Sequence, residues 1–116
     1  DIGDSTMNKR EEQGLSNAVM NYLAIKRIPH YRTRTSGSII HKRGGGIAYG
    51  RDRYAATQRG FPDLLVFKDG RTFALELKSQ IGKLSPEQKA WLDNLRNEGC
   101  IARVIRSLDE VIALFP

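Results

Sequence analysis

The chain is short of several things, and each shortage removes a class of explanation. It holds one cysteine, Cys100, in 116 residues. No internal disulfide can form, so nothing points to an oxidising compartment. It has two histidines, His30 and His41, and neither stands at zinc-ligand spacing from Cys100, which removes a zinc site. No apolar run approaches the roughly 18 residues that span a bilayer, and no signal-peptide pattern opens the chain. The triplet Gly44-Gly45-Gly46 is not followed by Gly-Lys-Ser/Thr, so it is not a phosphate loop. Acidic residues are scarce in one region: between Tyr31 and Gly60 the sole acid is Asp52.

What is present fits one globular domain. Apolar residues make up 40% and charged residues 28%, ordinary values for a folded chain. A chain of this length buries roughly two thirds of its unfolded surface, enough for a core without staples. Residues 1–6, ahead of Met7, are expected to be an expression leftover, with residues 7–116 forming the single domain. The net charge is +6, and its placement is informative. Arg32, Arg34, Lys42, Arg43, Arg51, Arg53 and Arg59 crowd the acid-poor segment, interleaved with Tyr31, Tyr49 and Tyr54, while the rest of the chain is neutral. Segregated positive charge with aromatic residues reads as a nucleic-acid footprint; the bland alternative is a solvated basic loop.

Hydrophobic spacing predicts the elements. Leu15, Ala18, Val19, Tyr22, Leu23 and Lys26 recur at three and four residues, which predicts a helix over 8–27 that Pro29 ends. Tyr31 to Thr35 alternates as a strand, and Ile47 to Tyr49 forms a short one inside a loop. "LSPEQKAWLDNLRNEG" opens a helix with Ser85 as cap, Pro86 in the first helical position and Gln88 in the third. Its buried stripe is Trp91, Leu92 and Leu95, and Gly99 closes it. Cys100 to Ile105 is the next strand, with Cys100 a small buried hydrophobe. "SLDE", Ser107 to Glu110, is a second capping box before a short helix to Leu114.

The stretch "FPDLLVFKDGRTFALELK", Phe61 to Lys78, predicts a β-hairpin with strands Asp63–Phe67 and Thr72–Ser79. A turn at Asp69-Gly70 sets Phe67 opposite Thr72, Leu65 opposite Ala74 and Asp63 opposite Glu76. Lys78 is two residues beyond Glu76 and shares its face, while Phe73, Leu75 and Leu77 point into apolar packing. Two carboxylates set opposite one another repel. A hard divalent cation removes that repulsion, with phosphate and water completing its shell. A backbone carbonyl near Leu77 supplies a further ligand, and Lys78 is placed to activate water or neutralise a phosphoryl oxygen. The pattern reads as a metal-dependent phosphodiester-cleaving site. The bland alternative is an ion pair from Lys78 to Glu76 or Asp63, and a register slip of one residue would separate the acids.

Gly60-Phe61-Pro62-Asp63, Glu76-Leu77-Lys78 and Leu84-Ser85-Pro86-Glu87-Gln88, in this order, resemble the virus-type replication-repair nuclease (VRR-NUC) domain of the PD-(D/E)xK nuclease superfamily. The resemblance runs from about Glu12 to Leu114. It implies an α/β, restriction-endonuclease-like core: a central mixed sheet of about four strands flanked by helices. It implies a Mg²⁺- or Mn²⁺-dependent DNA endonuclease, with Asp63, Glu76, Lys78, Gln88 and Glu12 as catalytic residues and Asp63, Glu76, Leu77 and Glu12 around the metal. The family's glutamate on the first helix falls on Glu12, with Glu11 one residue away as the alternative. Its later glutamine falls on Gln88, where a helix cap would equally place one. Ser107 at the start of the last helix also fits. Similar stand-alone domains are homodimers that act on branched DNA such as four-way junctions, which implies a DNA partner, no membrane, and a role in DNA repair in a cytoplasmic, phage or bacterial setting. A non-catalytic DNA-binding module of this fold and a sequence-specific restriction-type endonuclease are the alternatives.

Overall fold

The computed structural model describes residues 2–33 and 58–116. Helix α1 (Ile2–Ile25) leads into strand β1 (His30–Arg32), the hairpin β2 (Leu64–Lys68) and β3 (Arg71–Leu77), helix α2 (Pro86–Asn97), strand β4 (Ile101–Ile105) and helix α3 (Leu108–Leu114). The expected strand at Ile47 to Tyr49, the glycine triplet, His41, and Arg34, Lys42, Arg43, Arg51 and Arg53 lie outside the described residues.

The sheet runs in the order β1-β2-β3-β4. β1 and β3 pair antiparallel with β2, and β4 pairs parallel with β3. A parallel neighbour needs a crossover, and α2 supplies it. One face of the sheet offers Leu64, Val66, Phe73, Leu75, Leu77 and Ile105 to Val19 and Leu23 of α1 and Val111 of α3, closed by Phe115. The other offers Ala74 and Ala102 to Leu92 of α2. The result is a mixed four-stranded sheet between helices, an α/β fold of the restriction-endonuclease-like kind.

The hairpin keeps its expected register: Phe67 faces Thr72 and Leu65 faces Ala74. Asp69 (φ 53°) and Gly70 (φ 76°) make the turn, both left-handed as a two-residue hairpin requires. The strands are shifted slightly, ending at Lys68 and Leu77 rather than Phe67 and Ser79.

Four expectations need correction. α1 is helical from Ile2, earlier than residue 8, and stops at Ile25. Its end is set before Pro29 by a left-handed Arg27 (φ 57°): Arg27 N–H donates to Ala24 O and Ile28 N–H to Leu23 O, at 3.0 and 2.9 Å. This is a Schellman cap, and the buried Ile28 and Leu23 meet across it. β1 is three residues, His30–Arg32, and does not include Thr33; Arg34 and Thr35 of the expected strand lie outside the described residues. Cys100 lies before β4 and is half-buried rather than buried. At α3, Ser107 Oγ accepts from Glu110 N–H, but the Glu110 carboxylate accepts from Arg106 N–H at 2.9 Å, so the reciprocal box is not formed. The box at α2 is complete, with Ser85 and Gln88 each accepting from the other's backbone N–H.

Candidate active site

The charged residues of the hairpin gather where β2 begins and β3 ends. Glu76 is on β3 with a relative exposure of 2%. A carboxylate so deeply buried must be compensated by donors or cations. Lys78 Nζ lies 3.9 Å from its Oε2, and Gln88 Nε2 donates to the same oxygen at 3.1 Å.

Gln88 joins two jobs in one amide. Its Oε1 accepts from Ser85 N–H at 2.9 Å and closes the helix cap. An amide oxygen fixed on an N–H leaves the NH₂ end to face outward, here onto Glu76. The cap therefore orients the donor, and the two readings of Gln88 are one geometry. Gly60 makes the approach possible. It sits at φ +87°, and a Cβ there would come within 2.8 Å of Gln88 N and of Glu87. A side chain would push the first turn of α2 off the strand ends. Phe61 then packs edge-on against Trp91 at 4.8 Å between ring centres, and Trp91 is half-buried on that contact.

Asp63 lies just ahead of β2 and is half-buried. Its backbone is held by Thr33, whose N–H donates to Asp63 O at 2.9 Å and whose hydroxyl donates to Pro62 O. Its Oδ2 accepts from Leu77 N–H at 2.9 Å. The last backbone pair between these strands is Leu64 with Leu75, so the carboxylate serves as acceptor beyond the end of the ladder. Asp63 and Glu76 thus belong to the ends of neighbouring strands, with Lys78 one residue past β3.

The two glutamates of α1 separate. Glu12 lines a cavity of about 510 Å³ together with Asp63 and Leu77. Glu11 instead accepts from Gln80 N–H at 2.7 Å, while Ser79 Oγ donates to Asn8 Oδ1 at 3.2 Å. The loop after Lys78 is also gripped by Arg106, whose Nη1 donates to Ser79 O and Gly82 O, both at 2.7 Å. Arg106 and Thr33 carry no motif of their own, so only the folded chain reveals them. Among the described residues no three His, Cys, Asp or Glu side chains stand close enough to form a metal cluster; the third expected acid, Glu12, is not drawn into a closed set with Asp63 and Glu76. Of the basic residues expected to touch nucleic acid, Arg32 lines the cavity and Arg59 is exposed beside Gly60. No described helix is long and apolar enough to cross a membrane.

Comparison with curated proteins finds no match. Solved structures share the fold, two of them as follows. One, described as "VRR_NUC domain", superposes with a TM-score of 0.60 at 18% identity and covers 91% of this chain and 98% of its own. The other, a "VRR_NUC domain protein", gives a TM-score of 0.57 at 21% identity over 89% of this chain and 83% of its own. The sequence profile of the VRR-NUC domain matches residues 5–109, which takes in most of α1, the hairpin, Gln88 and β4, and the chain therefore belongs to the VRR-NUC nuclease family.

Proposed function

We propose that this chain is a metal-dependent endodeoxyribonuclease that hydrolyses phosphodiester bonds in branched DNA, four-way junctions first among them, and works as a homodimer. The observation that carries the catalytic part is Glu76, buried at a strand end between Lys78 and Gln88 and next to Asp63. A half-buried acid lining a cavity, Asp63, beside a buried acid on the neighbouring strand end, Glu76, is the kind of environment that serves chemistry.

The donor set fits a hard divalent cation. Every candidate ligand is an oxygen, and Lys78 Nζ stands 3.9 Å from the Glu76 carboxylate. Asp63, Glu76 and the main-chain carbonyl of Leu77, with Glu12 across the cavity, would hold Mg²⁺ or Mn²⁺. When bound, such an ion supplies Lewis-acid polarisation of a phosphoryl oxygen. The protein's own residues do the rest. Lys78 donates hydrogen bonds to the attacking water or to a non-bridging phosphate oxygen and offsets its charge. Gln88 keeps the Glu76 carboxylate turned toward Lys78. Asp63, fixed on Leu77 N–H, presents its carboxylate from a position the sheet itself defines. Glu11 holds the loop that carries Lys78's successors and leaves the site to Glu12.

The dimer follows from the substrate. A four-way junction has two-fold character, and one chain supplies one set of Asp63, Glu76 and Lys78. Two-fold dimers are the commonest oligomer and supply two sets.

The test is cleavage of linear, flap and four-way DNA with and without Mg²⁺ or Mn²⁺, with sedimentation at micromolar concentration. Asp63→Asn, Glu76→Gln and Lys78→Ala are each expected to lower cleavage by about 100-fold or more with the fold intact. Glu12→Gln is expected to lower it as well, whereas Glu11→Gln keeps an acceptor for Gln80 N–H and stays near wild type. Full activity in any two of the first three variants removes this site. Cutting of linear DNA at a fixed sequence moves the substrate to a restriction-type target. A monomer that only nicks moves it to flaps and ends.

A further inference from the structure

One wall of the cavity is a polar stripe of α1. Lys9, Glu12, Gln13 and Ser16 recur at helical spacing and face the opening, and Arg32 of β1 borders it as well. Asp63 and Leu77 bring the strand ends into the same space. Lys9 and Arg32 are both exposed, so their charges stay hydrated and available. They come from different elements, one a helix and one the sheet's edge strand.

We infer that this cleft between α1 and β1 is the seat of the scissile DNA strand, with Lys9 and Arg32 binding backbone phosphates beside the one attacked. The inference deepens the nuclease reading and rests on it. Three features of the cleft fit a strand backbone. Its volume, about 510 Å³, lies in the range of sites that enclose a ligand, roughly 300–1,000 Å³. The α1 residues that line it are all polar and can hydrogen-bond phosphate and sugar oxygens. Its charges are graded: the cations Lys9 and Arg32 are exposed, while Glu12 and Asp63 are half-buried. A polyanion meets the cations first, and the acids remain for the reacting centre. Lys9 lies outside the acid-poor segment, so the basic footprint read from sequence does not include it.

Binding is read by fluorescence anisotropy of the full chain on labelled single-stranded and duplex DNA, with divalent ions removed by a chelator so that no cleavage intervenes. Lys9→Ala and Arg32→Ala are each expected to weaken binding roughly three- to tenfold and to lower the slope of log affinity against log salt by about 0.7 on single strands or 0.9 on duplex. Gln13→Ala is expected to weaken binding with no change of slope, since it removes no charge. Arg71→Ala is the control. Arg71 is an exposed cation at the hairpin turn, six residues along β3 from Leu77, or about 20 Å away, and its replacement is expected to leave slope and affinity unchanged.

Equal effects of Lys9→Ala and Arg71→Ala would overturn the assignment, because they would report diffuse charge and not a seat. So would unchanged binding by the Lys9→Ala, Arg32→Ala double variant, or no binding by the wild type. If the double variant binds normally while the wild type cleaves DNA with Mg²⁺, the cleft falls and the nuclease reading stands. If the cleft variants lose affinity as expected but the wild type cleaves nothing with Mg²⁺ or Mn²⁺, the phosphate contacts of Lys9 and Arg32 stand, but the nuclease reading falls and the scissile-strand assignment with it.

Discussion

The two faces of the sheet are packed by opposite rules. Toward α1 and α3 the strands present Leu64, Val66, Phe73, Leu75, Leu77 and Ile105, and these meet Val19, Leu23, Val111 and Phe115 in one continuous core. Toward α2 they present Ala74 and Ala102, with Leu92 as the buried partner and Leu65, Leu84, Leu95 and Val104 around it. The first face is built from large side chains that interdigitate, and apolar burial on this scale is what stabilises a small domain. The second is thin. Small residues under a helix let it lie close to the strands, and that closeness brings Gln88 within hydrogen-bonding distance of Glu76. One face holds the domain together. The other sets the position of a polar group.

Three substitutions would break or sharpen this contrast. The largest effect on stability is expected at Leu75, fully buried in the thick face. Leu75→Ala removes apolar contact and leaves a cavity, at a cost of about 2–5 kcal/mol. Chemical denaturation measures it, and a loss below about 1 kcal/mol would show that the face packs loosely.

Gly60→Ala is expected next. Its Cβ would meet backbone of the first turn of α2 at 2.8 Å in a left-handed conformation. Left-handed strain adds roughly 1–2 kcal/mol, and forced displacement in a packed region roughly 1–3 kcal/mol. Cleavage should fall further than this destabilisation explains, because the displaced turn carries Gln88. Activity measured well below the unfolding temperature separates the two. A variant that loses stability but keeps full activity would show that α2 can shift without moving the amide.

Gln88→Glu is expected to change stability least: a glutamate in the third position still closes the cap with Ser85, but it takes the donor from the buried Glu76 and sets a second carboxylate beside it, at a cost of about 1–3 kcal/mol. It replaces the NH₂ that faces Glu76 with a carboxylate oxygen. Loss of a group that orients a metal ligand lowers metal affinity or activity about 10–100-fold. The readout is the Mg²⁺ concentration for half-maximal cleavage together with the melting temperature. An unchanged Mg²⁺ requirement would confine Gln88 to capping.

Local rules of chain geometry made much of this legible from sequence. Asp69-Gly70 can adopt the left-handed pair that a two-residue turn demands, so the register of the hairpin followed from the turn, and with it the opposition of Leu65 and Ala74. Ser85-Pro86 and Gln88 announced the start of α2, and the three/four spacing of Val19 and Leu23 announced the buried stripe of α1. These signals act within a few residues, so they survive without knowledge of the rest of the chain. The family motifs pointed to the family for the same reason: they are short and ordered, and the family profile matches residues 5–109.

Contacts between distant elements had no such signature. Glu11 and Glu12 are adjacent and chemically alike, and one residue of helix turns a side chain by about 100°; only the packing of α1 on the sheet sends Glu12 into the cavity and Glu11 onto Gln80 N–H. Arg106 reaches back to the loop at Ser79 and Gly82, across a separation of more than twenty residues. "SLDE" looked identical to a working capping box, yet Glu110 found Arg106 N–H instead, because a neighbouring donor competed for the same carboxylate. The amide of Gln88 shows both limits at once. Its cap was decided by residues three positions apart, while its contact with Glu76 exists because Gly60, Ala74 and Ala102 are small enough for a helix and a strand end to meet.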